Sequence, residues 1–191
     1  MPRAGLTPAR VVDAAESLVD TEGLDALSLA RLAAQLGVRQ PSLYNHLASL
    51  ESLRRDIAVR AKRELAAVLL DADSGDADAR TRVVAIARAL RRWAREHPGR
   101  YLLTVRAPSP EDADDVAASA ELLALFESVL APALDETERV HLIRALRAQL
   151  HGMLDLERRG GFGLPVDTEV SADRAVEALL HTWLPARAVT D

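Results

Sequence analysis

The sequence predicts an all-α protein, and two observations carry that prediction. Apolar residues recur at helical spacing along nearly the whole chain, the pattern of helices that each bury one face. Start and stop signals bracket those stripes. Ser28, Pro41, Pro98 and the acidic stretch 111–115 stand at starts, and Gly37 and His97-Pro98-Gly99 at ends, positions that suit their capping and backbone chemistry. The expected organisation is an N-terminal three-helix unit with a helix-turn-helix in residues 1–50, followed by a helical bundle in residues 51–191.

The first helix spans about Pro8 to Thr21 and turns Val12, Ala15, Leu18 and Val19 inward. In the second, capped by Ser28, Leu29, Leu32, Ala33 and Leu36 share a face. Gly37 ends it in the left-handed conformation that suits a helix C-terminus, and Val38 tucks under the turn. Pro41 opens a short third helix to about Leu47, with Leu43 and Leu47 inward and Gln40, Ser42, Tyr44, Asn45 and His46 pointing elsewhere. So short a helix gains little by burial, and its hydrogen-bonding face is therefore expected to bind something. A long fourth helix, about Leu50 to Leu70, ends in a polar break at 72–76. Val83, Ile86, Ala87, Leu90 and Trp93 or Ala94 mark the fifth helix, and a sixth runs from about Pro98 to Val105. Val116, Leu122, Leu123, Leu125 and Phe126 mark the seventh. The eighth, about Glu136 to Arg158, carries the stripe Ile143, Leu146, Leu150 and Met153 or Leu154 beside a small-residue ridge of Ala145, Ala148 and Gly152. Ala172, Val176, Leu179, Leu180, Trp183 and Leu184 mark the last.

Two short helices held at an angle by a tight turn form the unit that presents a helix to the DNA major groove. The run Gly37-Val38-Arg39-Gln40-Pro41-Ser42-Leu43-Tyr44-Asn45-His46-Leu47 resembles the recognition-helix motif of the tetracycline-repressor (TetR) family, and Ala14-Ala15, Leu18 and Gly23 are similar to its first helix. The resemblance covers about residues 7–60. It implies a homodimeric, DNA-binding transcriptional regulator, usually a repressor, whose C-terminal domain binds a small-molecule effector. A two-fold dimer in turn implies a palindromic operator in double-stranded DNA.

Carried over residue by residue, the resemblance implies that Gln40, Pro41 and Ser42 approach base edges and that Tyr44 and His46 contact phosphates. Glutamine can pair bidentately with adenine and a proline ring can rest on a thymine methyl, while tyrosine and histidine can donate to phosphate oxygens without reading sequence. Asn45 joins this set, Thr7 resembles the family residue that grips the DNA backbone, and Arg3 suits a basic arm. Arg31, Arg39, Arg54 and Arg55 are further candidate contacts. Two positions depart from the family: Leu50 stands where a phosphate-contacting lysine is common, and Leu47 where an aromatic is usual.

The formal net charge of −5 is unevenly spread: residues 1–62 hold eight basic and seven acidic side chains, and the remainder sixteen and twenty-two. Screening limits a phosphate backbone to sensing charges within about 8 to 10 Å, so the local arginines matter more than the total. Lys62 is the sole lysine, and there is no cysteine, which removes disulfides and thiolate metal sites. No apolar run approaches the roughly 18 residues of a membrane span, and no signal-peptide pattern opens the chain. A cytoplasmic protein is expected.

His97-Pro98-Gly99-Arg100-Tyr101 and Leu150-His151-Gly152-Met153, followed by Leu156-Glu157 and Gly161-Phe162, are similar to a TetR-family C-terminal domain with a Trp-His-Gly signature, Leu150 replacing the tryptophan. An effector pocket in such a bundle is apolar with a few polar groups, and its candidates are Trp93, Tyr101, Leu102, Val105, Arg106, Phe126, Gln149, His151 and Met153. The last two helices resemble the pair that forms the family's four-helix dimer bundle, with Ala145, Ala148, Gly152, Val176, Leu179, Leu180 and Trp183 as candidate interface. Glu138 and His141 make one i, i+3 pair without the second that di-metal bundles need, so no metal, cofactor or catalytic residue is expected. A second reading is a small-molecule binding protein that kept the fold and lost DNA recognition, with Leu50 as its main support.

Overall fold

A computed structural model of the chain describes residues 5–184. It is all-helical, with no strand among those residues. The α-helices are α1 (Pro8–Glu22), α2 (Leu29–Leu36), α3 (Leu50–Ala72), α4 (Ala79–Glu96), α5 (Pro98–Thr104), α6 (Ala113–Leu130), α7 (Glu136–Arg158) and α8 (Thr168–Trp183). Two 3-10 segments, Leu24–Ala26 and Gln40–Asn45, complete the N-terminal region. Packing groups the chain into two compact units, one of residues 1–64 with 96–121 and the other of 65–95 with 122–191. That grouping does not follow the sequence division at residue 50, because α5 and the start of α6 pack with the N-terminal helices.

In the first unit each helix end has a local cause. Thr7 caps α1, its hydroxyl accepting from the Arg10 amide at 3.3 Å, and Ser28 caps α2 in the same way through the Arg31 amide. Gly37 closes α2 at φ 66°, where its own amide and that of Val38 reach back to Ala34 O and Ala33 O. Left-handed backbone of this kind disfavours any side chain. At α3, Ser49 and Ser52 exchange amide-to-hydroxyl bonds of 2.9 Å each, a reciprocal cap with serine in the place of the usual glutamate. The core gathers Val11, Ala15, Leu18 and Val19 from α1, Leu32 and Ala33 from α2, Leu43, and Leu53 and Ile57 from α3. Val11 rather than the expected Val12 is the fully buried residue; Val12 packs at the margin.

α5 lies very close to α1. A Cβ at Gly99 would fall 2.0 Å from Val19 O, so only glycine allows the two backbones to approach this far. The next residue, Arg100, fixes the contact: its amide and its Nε donate to the two oxygens of Asp20 at 2.9 and 2.7 Å, and Nη1 donates to Glu64 at 2.6 Å.

In the second unit, Val83, Ile86, Ala87, Trp93 and Ala94 of α4 are buried, as are Leu125, Val129 and Leu130 of α6, Leu142, Leu146 and Leu150 of α7, and Ala172, Val176 and Leu180 of α8. Asp135 and Asp167 cap α7 and α8 through the amides of Glu138 and Glu169. Arg91 of α4 is buried and donates to Glu157 and Glu169 at 2.7 and 2.9 Å, joining α4 to the end of α7 and the start of α8. The expected stripe of the seventh helix is corrected here. Leu125 is buried as expected and Leu122 and Phe126 are half-buried, but Val116 and Leu123 are exposed, and Ala118 and Val129 are buried in their place. Leu142, not Ile143, is fully buried on α7.

Candidate nucleic-acid interface

The recognition segment is a 3-10 turn, tighter than the α-helix its proline suggested. Arg39 is extended, and bonds from Ser42 N to Arg39 O (2.9 Å) and from His46 N to Leu43 O (2.8 Å) close the segment. Leu43 is completely buried and pins it to the core, while Leu47 is half-buried. Around that anchor Arg39, Gln40, Pro41, Tyr44 and Asn45 are exposed, and Ser42 and His46 are half-buried. Tyr44 is 55% exposed, too open for a core residue, so its hydroxyl and ring are available to a ligand. Thr7 is exposed at the start of α1. Its oxygen accepts the Arg10 amide, and its hydroxyl proton remains for a phosphate oxygen. Arg3 lies outside the described residues.

The candidate arginines are not equivalent. Arg39 is exposed and has no carboxylate partner among the described residues. Arg31 pairs with Glu22, and Arg54 stands 3.9 Å from Glu51. Arg60 pairs with Asp13 at 2.9 Å and with Glu16 at 3.3 Å. Arg55 is the most committed: Nε and Nη2 grip the two oxygens of Asp112 at 2.7 and 2.5 Å, Nη2 also reaches Asp114 at 3.0 Å, and Nη1 meets Asp56 at 3.1 Å. The guanidinium holds the Asp112 carboxyl down at about 2, mainly through these bonds and against a smaller effect of desolvation. The same bonds raise the pKa of Arg55.

Beside this pair, Lys62 and Asp115 are both buried, 2.5 Å apart, and Lys62 Nζ also donates to Ser119 at 2.9 Å. The sequence reading anticipates the outward-facing side chains around Leu43 but not these partners. The signal was present in the acidic stretch 111–115, which reads equally well as a favourable helix start.

The candidate effector residues fall in both units. Tyr101 is buried, Leu102 and Val105 are half-buried, and Arg106 is at the surface 3.3 Å from Glu51; these belong to the first unit. In the second, Trp93 and Met153 are buried, and Phe126, Gln149 and His151 are half-buried. Of the candidate dimer residues, Val176 and Leu180 point into their own unit's core, which takes them off any surface a second copy could touch. Ala148 is exposed, and Ala145, Gly152, Leu179 and Trp183 are half-buried. Trp183 donates its indole N–H to Glu138 at 2.9 Å.

Comparison with known proteins places this geometry among regulators. A family described as bacterial regulatory proteins, tetR family, matches residues 11–62, and one described as tetracyclin repressor-like, C-terminal domain, matches residues 83–179. The uncharacterised HTH-type transcriptional regulator YobS of Bacillus subtilis is 33% identical over 96% of this chain and 95% of its own. The HTH-type transcriptional repressor DrrR1 of Streptomyces coeruleorubidus is 36% identical over 57% of this chain and 38% of its own length. A crystal structure of a TetR variant from Acinetobacter baumannii in complex with minocycline has the same fold, with TM-score 0.71 at 18% identity, over 96% of this chain and 99% of that one.

Proposed function

Because the chain belongs to the tetR family of bacterial regulatory proteins, we propose that it is a ligand-responsive transcriptional repressor, binding a palindromic operator as a homodimer in the cytoplasm. The observation that carries this reading is the recognition segment. Buried Leu43 fixes a turn whose outer face offers Arg39, Gln40, Pro41, Tyr44 and Asn45, groups suited to base edges and phosphates. Residues 1–50 are assigned DNA recognition, and residues 51–191 effector binding and dimerisation.

Support for the dimer comes from Gly152, where an added Cβ would meet nothing within 4 Å. The chain's own packing does not demand that glycine, whereas close approach of a second helix would use it. The two recognition segments of a dimer must lie about 34 Å apart to enter successive major grooves, and effector binding in the C-terminal core would alter that separation through α3. The repressor name of DrrR1 and the minocycline complex of the Acinetobacter protein support repression and ligand response respectively.

The test is selection of genomic fragments with the purified protein, followed by titration of the enriched site at two salt concentrations. One palindrome bound with steeply salt-dependent affinity is the expected result. No enrichment over random DNA favours the second reading, a ligand-binding protein without DNA recognition, for which Leu50 and the internally paired arginines speak.

A further inference from the structure

Five basic side chains, Arg54, Arg55, Arg60, Lys62 and Arg63, stand along the first half of α3, and the start of α6 claims three of them. Arg55 is held by Asp112 and Asp114, Lys62 by Asp115, and Arg63 stands 3.9 Å from Asp114. Of the other two, Arg54 stands near Glu51 on α3 itself and Arg60 turns to α1. Lys62 is sealed in the interior and so serves packing, but Arg55 keeps 30% of its side chain exposed. At about 1.5 Å of rise per residue, Arg55 stands about 9 Å along α3 from Ser49, a span that an extended arginine largely covers. The oxygens that grip it reproduce what a DNA phosphate offers, two acceptors presented to one planar fork. Asp112 also caps α6, its Oδ1 accepting the Asp115 amide at 3.1 Å. Arg55 is thus tied to the atoms that begin that helix, and displacement of the first turn of α6 would release it.

We propose that Asp112 and Asp114 act as an internal mimic of the DNA backbone, holding Arg55 away from phosphate until the first turn of α6 moves. The inference rests on the DNA-binding reading above and adds to it a competitor built into the chain. Binding of duplex then exchanges the carboxylate partners of Arg55 for a phosphate. An effector that tightens the start of α6 weakens DNA binding without touching the recognition segment.

The experiment titrates a fluorescent random-sequence duplex over a series of salt concentrations, so that no operator need be known. Four proteins are compared with the wild type: Asp112→Asn/Asp114→Asn, the single Asp114→Asn, the double variant with Arg55→Gln added, and Glu111→Gln as a charge control. Asparagine retains the capping oxygen of residue 112, and the exposed Asp114 single variant guards against misfolding of the double. The double variant is expected to bind several-fold more tightly at the lowest salt, with a log–log salt slope steeper by about 0.9, one phosphate contact. Asp114→Asn is expected to show a smaller gain of the same sign, and Arg55→Gln to abolish the gain. An unchanged slope, an equal gain from Glu111→Gln, or a gain that survives Arg55→Gln overturns the inference while leaving the DNA-binding reading intact. Absence of duplex binding by every protein overturns both.

Discussion

Glu16 sits in α1 with one carboxylate oxygen 3.3 Å from Arg60 and the other buried without a partner. Burial pushes its pKa above the ordinary 4.5, outweighing the attraction of Arg60. A carboxyl whose folded pKa is raised stabilises the fold in acid, and that contribution is lost as pH rises through the folded value. Glu16→Gln keeps the neutral shape. Its melting temperature is therefore expected to gain on the wild type as pH is raised from about 4.5 towards neutrality, and a gap constant with pH would refute this. Asp112 runs the other way. Held down at about 2 by Arg55, it contributes stability that is fully present above its ordinary pKa of 3.8 and is lost as pH falls from there to about 2, so the difference between wild type and Asp112→Asn should shrink over that acid range. At the recognition face, Gln40→Ala is expected to relax discrimination at one half-site position by about 1 to 3 kcal/mol. Base-substituted duplexes bound with unchanged preference would contradict it.

The two glycines of the His97–Tyr101 and Leu150–Met153 runs separate cleanly at the scale of elements. Gly99→Ala would drive a methyl into the Val19 carbonyl, 2.0 Å away, forcing α5 off α1. Overpacking of this kind costs about 1 to 3 kcal/mol or more. Gly152→Ala meets no neighbour in its own chain, so a monomer would gain up to about 1 kcal/mol of helix propensity, whereas a dimer that packs a second helix against this glycine would lose stability. Gly99→Ala should therefore lower the denaturant midpoint at every protein concentration, and Gly152→Ala only where the dimer forms. Caps and stripes make most helix positions readable, because Ser28, Gly37 and the apolar spacing act over a few residues. The register of α1 differs by one from the sequence expectation, since Val11 and Val12 satisfy the same stripe almost equally and only the packed neighbours decide. The approach of α5 to α1 is not legible at all: nothing local to Gly99 distinguishes a glycine that ends a helix from one that admits another backbone.

At the scale of the whole molecule, the arrangement of charge is what the sequence leaves unread. The cluster of arginines is visible, but their partners lie far along the chain: Arg55 meets residues 112 and 114, and Lys62 meets residue 115. The one local trace of this long-range pairing, the acidic stretch 111–115, reads equally well as a helix start and names no partner. The exposure of the side chains around Leu43, by contrast, is legible, because one apolar anchor among polar neighbours carries its own pattern. The dimer is tested by Ala148→Arg. Residue 148 is exposed, so the folded chain tolerates the longer side chain, and sedimentation should report monomers if that ridge meets a second copy.

Lys62 brings one further practical property. The sequence has no other lysine, and its ε-amine is enclosed between α3 and α6 with Asp115 and Ser119 as partners. Acylating reagents that react with free amines will find no accessible lysine while that contact is closed. With reagent concentrated enough to outpace reclosing, the rate at which mass spectrometry detects a modified Lys62 is the rate at which the contact opens, and with less reagent it reports the open fraction, so the chain carries its own timer for the separation of α3 from α6.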